Sequence, residues 1–179
     1  EHRHHLAGLD DIRAFNYIDK KKVEVYVSSN VEAAIRRDFP YIFSGTDYPG
    51  IPQINLHHIE NNPFNIEGVT FIPIEVMHHK LPVFGFRIKD FTYITDANFI
   101  GEEEKKKILN SKILVLNALR REHHLSHFTL EEAVVLAKEL KAEMTYLTHI
   151  SHQLGKHEDV NKELPQNIRL AYDGLTLEL

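Results

Sequence analysis

Histidine clusters placed where apolar runs stop constrain this chain more than any other feature. They read Glu1-His2-Arg3-His4-His5 at the start, Met77-His78-His79 in the middle and Leu147-Thr148-His149-Ile150-Ser151-His152 near the end, while an acid, Asp96, closes Tyr93-Ile94-Thr95. Imidazole is the commonest metal-binding side chain and the only one whose unperturbed pKa lies near neutrality. Most of these residues follow β-branched, apolar segments, so they fall where strands end. Ligands delivered there from distant parts of the chain point to one metal centre at the edge of a sheet. The sequence has no cysteine, which excludes disulfides and thiolate zinc sites and leaves nitrogen and oxygen as ligands.

The pattern between the clusters alternates strands and helices. Leu9, Ile12, Phe15 and Ile18 recur at helical spacing, predicting a helix over Ala7 to Asp19. Val23 to Val27 alternates as a strand, and Ser28, Ser29 and Asn30 offer an N-cap for a helix over Val31 to Asp38. Tyr48-Pro49-Gly50 and Asn61-Asn62-Pro63 are turn signals around a strand near Gln53 to Ile59. Further strands are predicted over 69–76, 83–88, 91–95, 112–116 and 144–147, with helices over 102–109 and 158–163. Thr129-Leu130-Glu131-Glu132 reads as a capping box opening a helix to about Leu140. Ile168 to Tyr172 and Leu175 to Leu177 read as a closing hairpin around Asp173-Gly174. With 179 residues and 42% hydrophobic content, the expectation is one layered α/β domain spanning 1–179. The net charge of −5 argues against a protein that coats nucleic acid, and no apolar run approaches membrane-spanning length.

Duller explanations suit several residues. His57, His58, His123, His124 and His157 have no partner in a recognisable pattern, and tandem His123-His124 sits in a polar loop. Asp10-Asp11 fits first-turn acids favoured by a helix dipole. The case is different for His2, His4 and His5, whose spacing lets several imidazoles converge from one turn, and for Asp96, an acid at a strand end that is well placed to bridge two cations.

These residues also carry a resemblance. Glu1-His2-Arg3-His4-His5-Leu6-Ala7-Gly8-Leu9, Thr95-Asp96 and Thr148-His149-Ile150-Ser151-His152 resemble the metallo-β-lactamase fold hydrolases, within them the cyclic phosphodiesterases related to the phosphoribosyl 1,2-cyclic phosphate enzyme. The resemblance covers essentially the whole chain. It implies an αββα sandwich with two divalent ions, zinc or manganese, at one edge. His2 and His78 match ligands of the first ion, His5 and His149 match ligands of the second, and Asp96 matches the bridging carboxylate. Ser126-His127 matches the substrate-facing histidine of this branch, and Ala171-Tyr172-Asp173-Gly174 its terminal hairpin. The first motif is matched from its second residue onward, and the family's domain has strands before it. The chain is therefore expected to be the part of the domain that follows those N-terminal strands.

The implied function is a metal-dependent phosphodiesterase that cleaves a small or cyclic phosphodiester with a metal-bound hydroxide, Asp96 and His127 serving the reaction. Two ions about 3.5–4 Å apart lower the pKa of a bridging water and neutralise phosphoryl charge. His127 would protonate the leaving oxygen or bind the phosphate, roles suited to a neutral-range pKa. Thioester or lactone hydrolysis on the same fold is the alternative, and so is a degenerate, non-catalytic binding protein. A tRNA 3′-end endonuclease fits less well, since no long basic arm is present. A cytoplasmic location, a small-molecule substrate, neither nucleic acid nor membrane as partner, and room for a homodimer complete the expectation.

His4 stands where the family motif has Asp. A neutral imidazole brings a lone pair but no negative charge, so the second ion site should favour borderline zinc over harder manganese and should weaken as pH falls. The alternative is that His4 faces solvent. If His4 is a ligand, His4→Asp in the intact protein should raise second-site affinity, read by metal titration, together with the phosphodiesterase rate. Unchanged values alongside a loss in His5→Ala would make His4 a bystander.

Overall fold

Val23-Glu24-Val25-Tyr26-Val27 forms β1 (Val23–Val27), as its alternation requires, and pairs in parallel with β2 (Ile54–His58) from Val23↔Ile54 to Val27↔His58. The structure is a computed structural model that describes residues 2–45, 48 and 50–178. It falls into two compact units, one through Glu60 and one from Asn61. Glu1 of the first histidine cluster and Pro49 of the Tyr48-Pro49-Gly50 turn signal lie outside the described residues.

In the first unit, the helix expected over Ala7 to Asp19 is broken into pieces. α1 (Arg3–Leu6) leads into a 3-10 turn over Ala7–Ile12, followed by α2 (Arg13–Asp19), which ends on left-handed Lys20. Gly8, Asp10 and Asp11 are weak helix formers. Asp10 also accepts a 2.6 Å hydrogen bond from the Tyr41 hydroxyl, so its side chain is committed outside the helix. Phe15 and Ile18 of the apolar stripe stay exposed. α3 (Ser29–Asp38) starts at N-cap Ser28, two residues earlier than expected, and buries Ala34 and Ile35.

The second unit is built on one mixed sheet. Its strands are β3 (Phe64–Ile66), β4 (Val69–His78), β5 (Leu81–Ile88), β6 (Phe91–Ile94), β7 (Phe99–Ile100), β8 (Ile113–Asn117), β9 (Met144–Thr148) and β10 (Ile168–Leu170). The order across the sheet is β10-β9-β8-β6-β5-β4-β3, with β7 paired to β4. β3 to β6 pair antiparallel, and β6, β8, β9 and β10 pair parallel. All of β8 is buried, which explains its continuous apolar run: a parallel strand covered on both faces has no side to leave polar.

The helices of this unit are α4 (Glu102–Ile108), α5 (Leu130–Leu140) and α6 (His157–Glu163). The capping box at α5 is present. Thr129 Oγ1 accepts from the Glu132 N–H, and the Glu132 carboxylate accepts from the Thr129 N–H at 2.8 Å. Leu130, Ala133, Leu136, Ala137 and Leu140 form the buried stripe of α5 and join Ile74, Val76, Ile94, Leu114, Leu116 and Leu147 in one core.

Two short strands escaped the sequence reading, and the hairpin at the end does not form. β3 and β7 have three and two residues, too few to show a period. β10 ends at Leu170 after pairing with β9, so no strand residues stand opposite Leu175 to Leu177. Only a turn follows, with Leu175 N–H donating to the Tyr172 carbonyl at 3.1 Å and Gly174 at φ 89°.

Gly85 lets β5 and β6 lie close. A Cβ there would stand 2.8 Å from the Tyr93 carbonyl oxygen and 2.7 Å from Ile94 Cγ1. Gly85→Ala should destabilise the fold by about 1–3 kcal/mol through this overpacking, read as a lower urea midpoint. An unchanged midpoint would show that β6 can yield.

Candidate metal centre

Strand direction explains why distant residues meet. β4 and β6 both run antiparallel to β5, and β8 and β9 run parallel to β6, so the C-terminal ends of β4, β6, β8 and β9 lie at one edge. Open α/β sheets place ligands at that edge. His78 is the last residue of β4, Asp96 follows β6 by two residues, and His149 follows β9 directly. His127 comes from the segment between β8 and α5, two residues before the N-cap Thr129.

Three residues at these strand ends take left-handed backbone: His79 at φ 57°, Asp96 at φ 55° and His149 at φ 57°. That conformation costs a non-glycine residue about 1–2 kcal/mol. It also stops each strand abruptly, and such strain is typical of functional sites.

The second unit brings four of the expected residues together. His149 Nδ1 lies 3.1 Å and His127 Nε2 4.0 Å from Asp96 Oδ1. The His127 ring stacks on His149 with centroids 4.7 Å apart and meets His78 edge-on at 4.8 Å. Asp96 also accepts from the Thr95 hydroxyl at 3.1 Å. His78, Asp96 and His127 are all buried, and one ligand atom from each lies within 4.8 Å of the others.

In the first unit His2 precedes α1, and His4 and His5 lie on it, both exposed. Their rings are neighbours, His2–His4 at 5.6 Å and His4–His5 at 4.3 Å. The rings of the first cluster are therefore neighbours within their own unit.

One hydrogen bond fixes which His78 nitrogen donates. His78 Nδ1 sits 3.0 Å from the Ser126 carbonyl. A carbonyl only accepts, so Nδ1 carries a proton and Nε2 is the nitrogen that could ligate. That is the arrangement metal-binding histidines adopt. His127 Nδ1 lies 3.0 Å from Ser126 Oγ and 3.1 Å from His124 Nδ1. His127 Nε2, by contrast, is buried without a hydrogen-bond partner. A buried ring nitrogen left so is costly, and it fits a site completed by a group the protein does not supply. The donor chemistry agrees, since imidazole and carboxylate suit zinc or manganese.

Electrostatics correct one expectation. Burial, then the neighbouring His149 and His78, push the His127 pKa down to about 4, against a smaller upward pull from Asp96. His127 is therefore held neutral at pH 7 rather than poised near neutrality. His124 is lowered in the same direction, by burial first and Arg120 next.

Some participants were missed in the sequence. His124, expected to be an unpartnered residue of a polar loop, stands against His127, a relation its three-residue spacing could have suggested. Asn117 closes the otherwise apolar β8 and is fully buried. Its amide accepts from the Ala97 N–H and donates to the Ala97 carbonyl, both at 2.9 Å. Polarity at the end of a buried strand was the available signal. His57 and His58 are surface residues as expected, paired with Glu24 and Glu32.

The profile of the β-lactamase superfamily domain matches residues 1–150. The chain belongs to this superfamily. A solved diphosphatase from the PhnP family is 36% identical to this superfamily member, with a TM-score of 0.87 over 97% of this chain and 66% of that one. Zinc-bound PqqB from Methylobacterium extorquens, at 16% identity, shares the fold with a TM-score of 0.75 over 97% of this chain and 69% of that one. An octanoyltransferase of Porphyromonas gingivalis is 33% identical over 177 residues, 98% of this chain but 36% of that protein. The chain thus spans about a third of that curated relative and just under two thirds of the diphosphatase. Its mixed sheet and helices are those of the α/β metallo-β-lactamase fold that the motifs implied, the fold of a hydrolytic superfamily. No helix among the described residues is long and apolar enough to cross a membrane.

The depressed His127 pKa has a consequence for stability. Unfolded, this histidine takes up its proton near pH 6.5; folded, it does so only at about 4. Between those values the unfolded state binds more protons, so His127 contributes stability that is fully present above about pH 6.5 and lost as pH falls toward 4. Metal-free protein should melt at lower temperature at pH 4.5 than at pH 7.5, and His127→Asn should reduce that difference. An equal difference in the variant would remove His127 from the account.

Proposed function

We propose that this chain is the metal-binding part of a phosphodiesterase acting on a small or cyclic phosphodiester, with residues 1–179 as one hydrolase domain. The observation that carries the reading is the buried His78, Asp96 and His127 set, in which His127 Nε2 has no protein partner. Support comes from the 36% identity to a solved diphosphatase of the PhnP family.

In this reading His78, Asp96 and His149 hold divalent metal, zinc or manganese, while His2, His4 and His5 bind metal in the first unit. Bound divalent ions supply positive charge for the phosphoryl oxygens and a water of lowered pKa. The protein's own groups do the rest. The Ser126 carbonyl, accepting from His78 Nδ1, sets the tautomer in which Nε2 is the ligating nitrogen. Asp96, which as a carboxylate can only accept, would orient the attacking water. His127, neutral in its buried setting, turns an Nε2–H toward a phosphate oxygen and binds it, instead of serving as a resting acid. The net charge of −5 favours a small substrate over a nucleic-acid strand. A cytoplasmic enzyme without membrane or nucleic-acid partners, with a homodimer as the oligomer to test, completes the proposal.

The octanoyltransferase name of one relative favours a second reading, hydrolysis of an acyl thioester by the same centre. Both readings are separated by one panel. Intact protein loaded with zinc or manganese should cleave bis-p-nitrophenyl phosphate, and a chelator should abolish the rate. His127→Ala should lower kcat about 10²-fold or more while metal content stays constant, whereas Asp96→Ala should lose metal. Turnover of an octanoyl thioester without phosphodiester cleavage would favour the second reading, and a rate indifferent to chelator would sink both.

A further inference from the structure

We infer that Asn98 is a positioning residue that sets the geometry of the metal centre, acting through the backbone on either side of His78 and through the segment that leads into His127. The inference rests on the reading of the centre given above, and its ground is the arrangement of hydrogen bonds around the peptide that follows Asp96. Asn98 is half-buried. Its side-chain oxygen accepts from the His79 N–H at 2.7 Å, and its side-chain nitrogen donates to the Leu125 carbonyl at 3.2 Å. Its backbone N–H donates to the Met77 carbonyl at 2.8 Å.

Met77 and His79 are the two neighbours of His78, so Asn98 grips this histidine's backbone from both sides. Leu125 belongs to the segment that carries His127, and the grip extends there through one amide. The preceding residue continues the pattern. The Ala97 carbonyl accepts from the Phe128 N–H at 2.9 Å as well as from Asn117. Asp96, His78 and His127 thus come from three separate segments whose flanking peptides all meet at residues 97–98.

Asparagine is the residue type this place requires. The tie needs one acceptor and one donor on the same short planar group. Aspartate would keep the bond from the His79 N–H but lose donation to Leu125, and alanine would lose both. The side chain's recorded bonds go to backbone groups, so its effect on the centre is indirect. Such outer partners govern ligand orientation, and losing one weakens metal binding about 10–100-fold.

The test uses intact protein loaded with cobalt(II), whose visible absorption reports coordination geometry, and zinc affinity measured by chelator competition. Asn98→Ala should bind zinc at least about tenfold more weakly, shift the cobalt absorption and lower kcat on bis-p-nitrophenyl phosphate with little change in KM. Asn98→Asp, retaining one of the two side-chain bonds, should fall between Asn98→Ala and the parent protein. If Asn98→Ala alters the melting temperature of metal-free protein while zinc affinity and cobalt spectrum match the parent, the residue is merely structural and the inference is overturned. Should Asn98→Ala fail to fold, Asn98→Asp decides, and an unaltered spectrum in it overturns the inference equally. If the parent protein itself binds neither ion, the reading of the metal centre fails first, and the inference falls with it.

Discussion

One buried carboxylate organises this molecule. Asp96 is 7% exposed, and a carboxylate so far from water needs positive or hydrogen-bonding company to remain ionised. The Thr95 hydroxyl and the His149 ring give part of it. Burial, with the His149 and His78 rings close by, holds His127 below its ordinary pKa. Imidazole nitrogens gathered about a single anion make a setting that receives a cation well. The strand ends, the left-handed turns and the amide clamps can all be understood as means of holding that setting.

Much of this could be seen in the residues beforehand, for identifiable reasons. Histidines next to β-branched runs marked strand ends, because the pleat's two-residue alternation and the long buried run of β8 are strong patterns. The capping box before α5 was legible because it is a local chemical exchange between Thr129 and Glu132. What could not be read was non-local. Nothing in Phe64-Asn65-Ile66 announces β3, since its pairing depends on Val69 to Phe71. The hairpin expected at Asp173-Gly174 does not form although its turn chemistry is sound, because β10 ends at Leu170, short of the turn. Asn98 and Asn117 were invisible because an asparagine in a loop is commonplace until its amide is seen spanning two segments. The His127 pKa was misjudged for a similar reason: desolvation belongs to the folded surroundings and not to the side chain.

The sheet's mixed construction has a kinetic side. β4, β5 and β6 follow one another through two-residue connections, His79-Lys80 and Lys89-Asp90, each opening on a left-handed residue. Closing such short loops removes little chain entropy. His78 and Asp96 therefore belong to a meander whose contacts are local in sequence. His127 and His149 belong to the parallel half, where β8 must wait for α5 to cross before β9 can pair. Local antiparallel contacts form faster than parallel crossovers of this length. The centre is thus divided in time as well as in space, with one half able to gather quickly and the other arriving only once the crossover has closed over it.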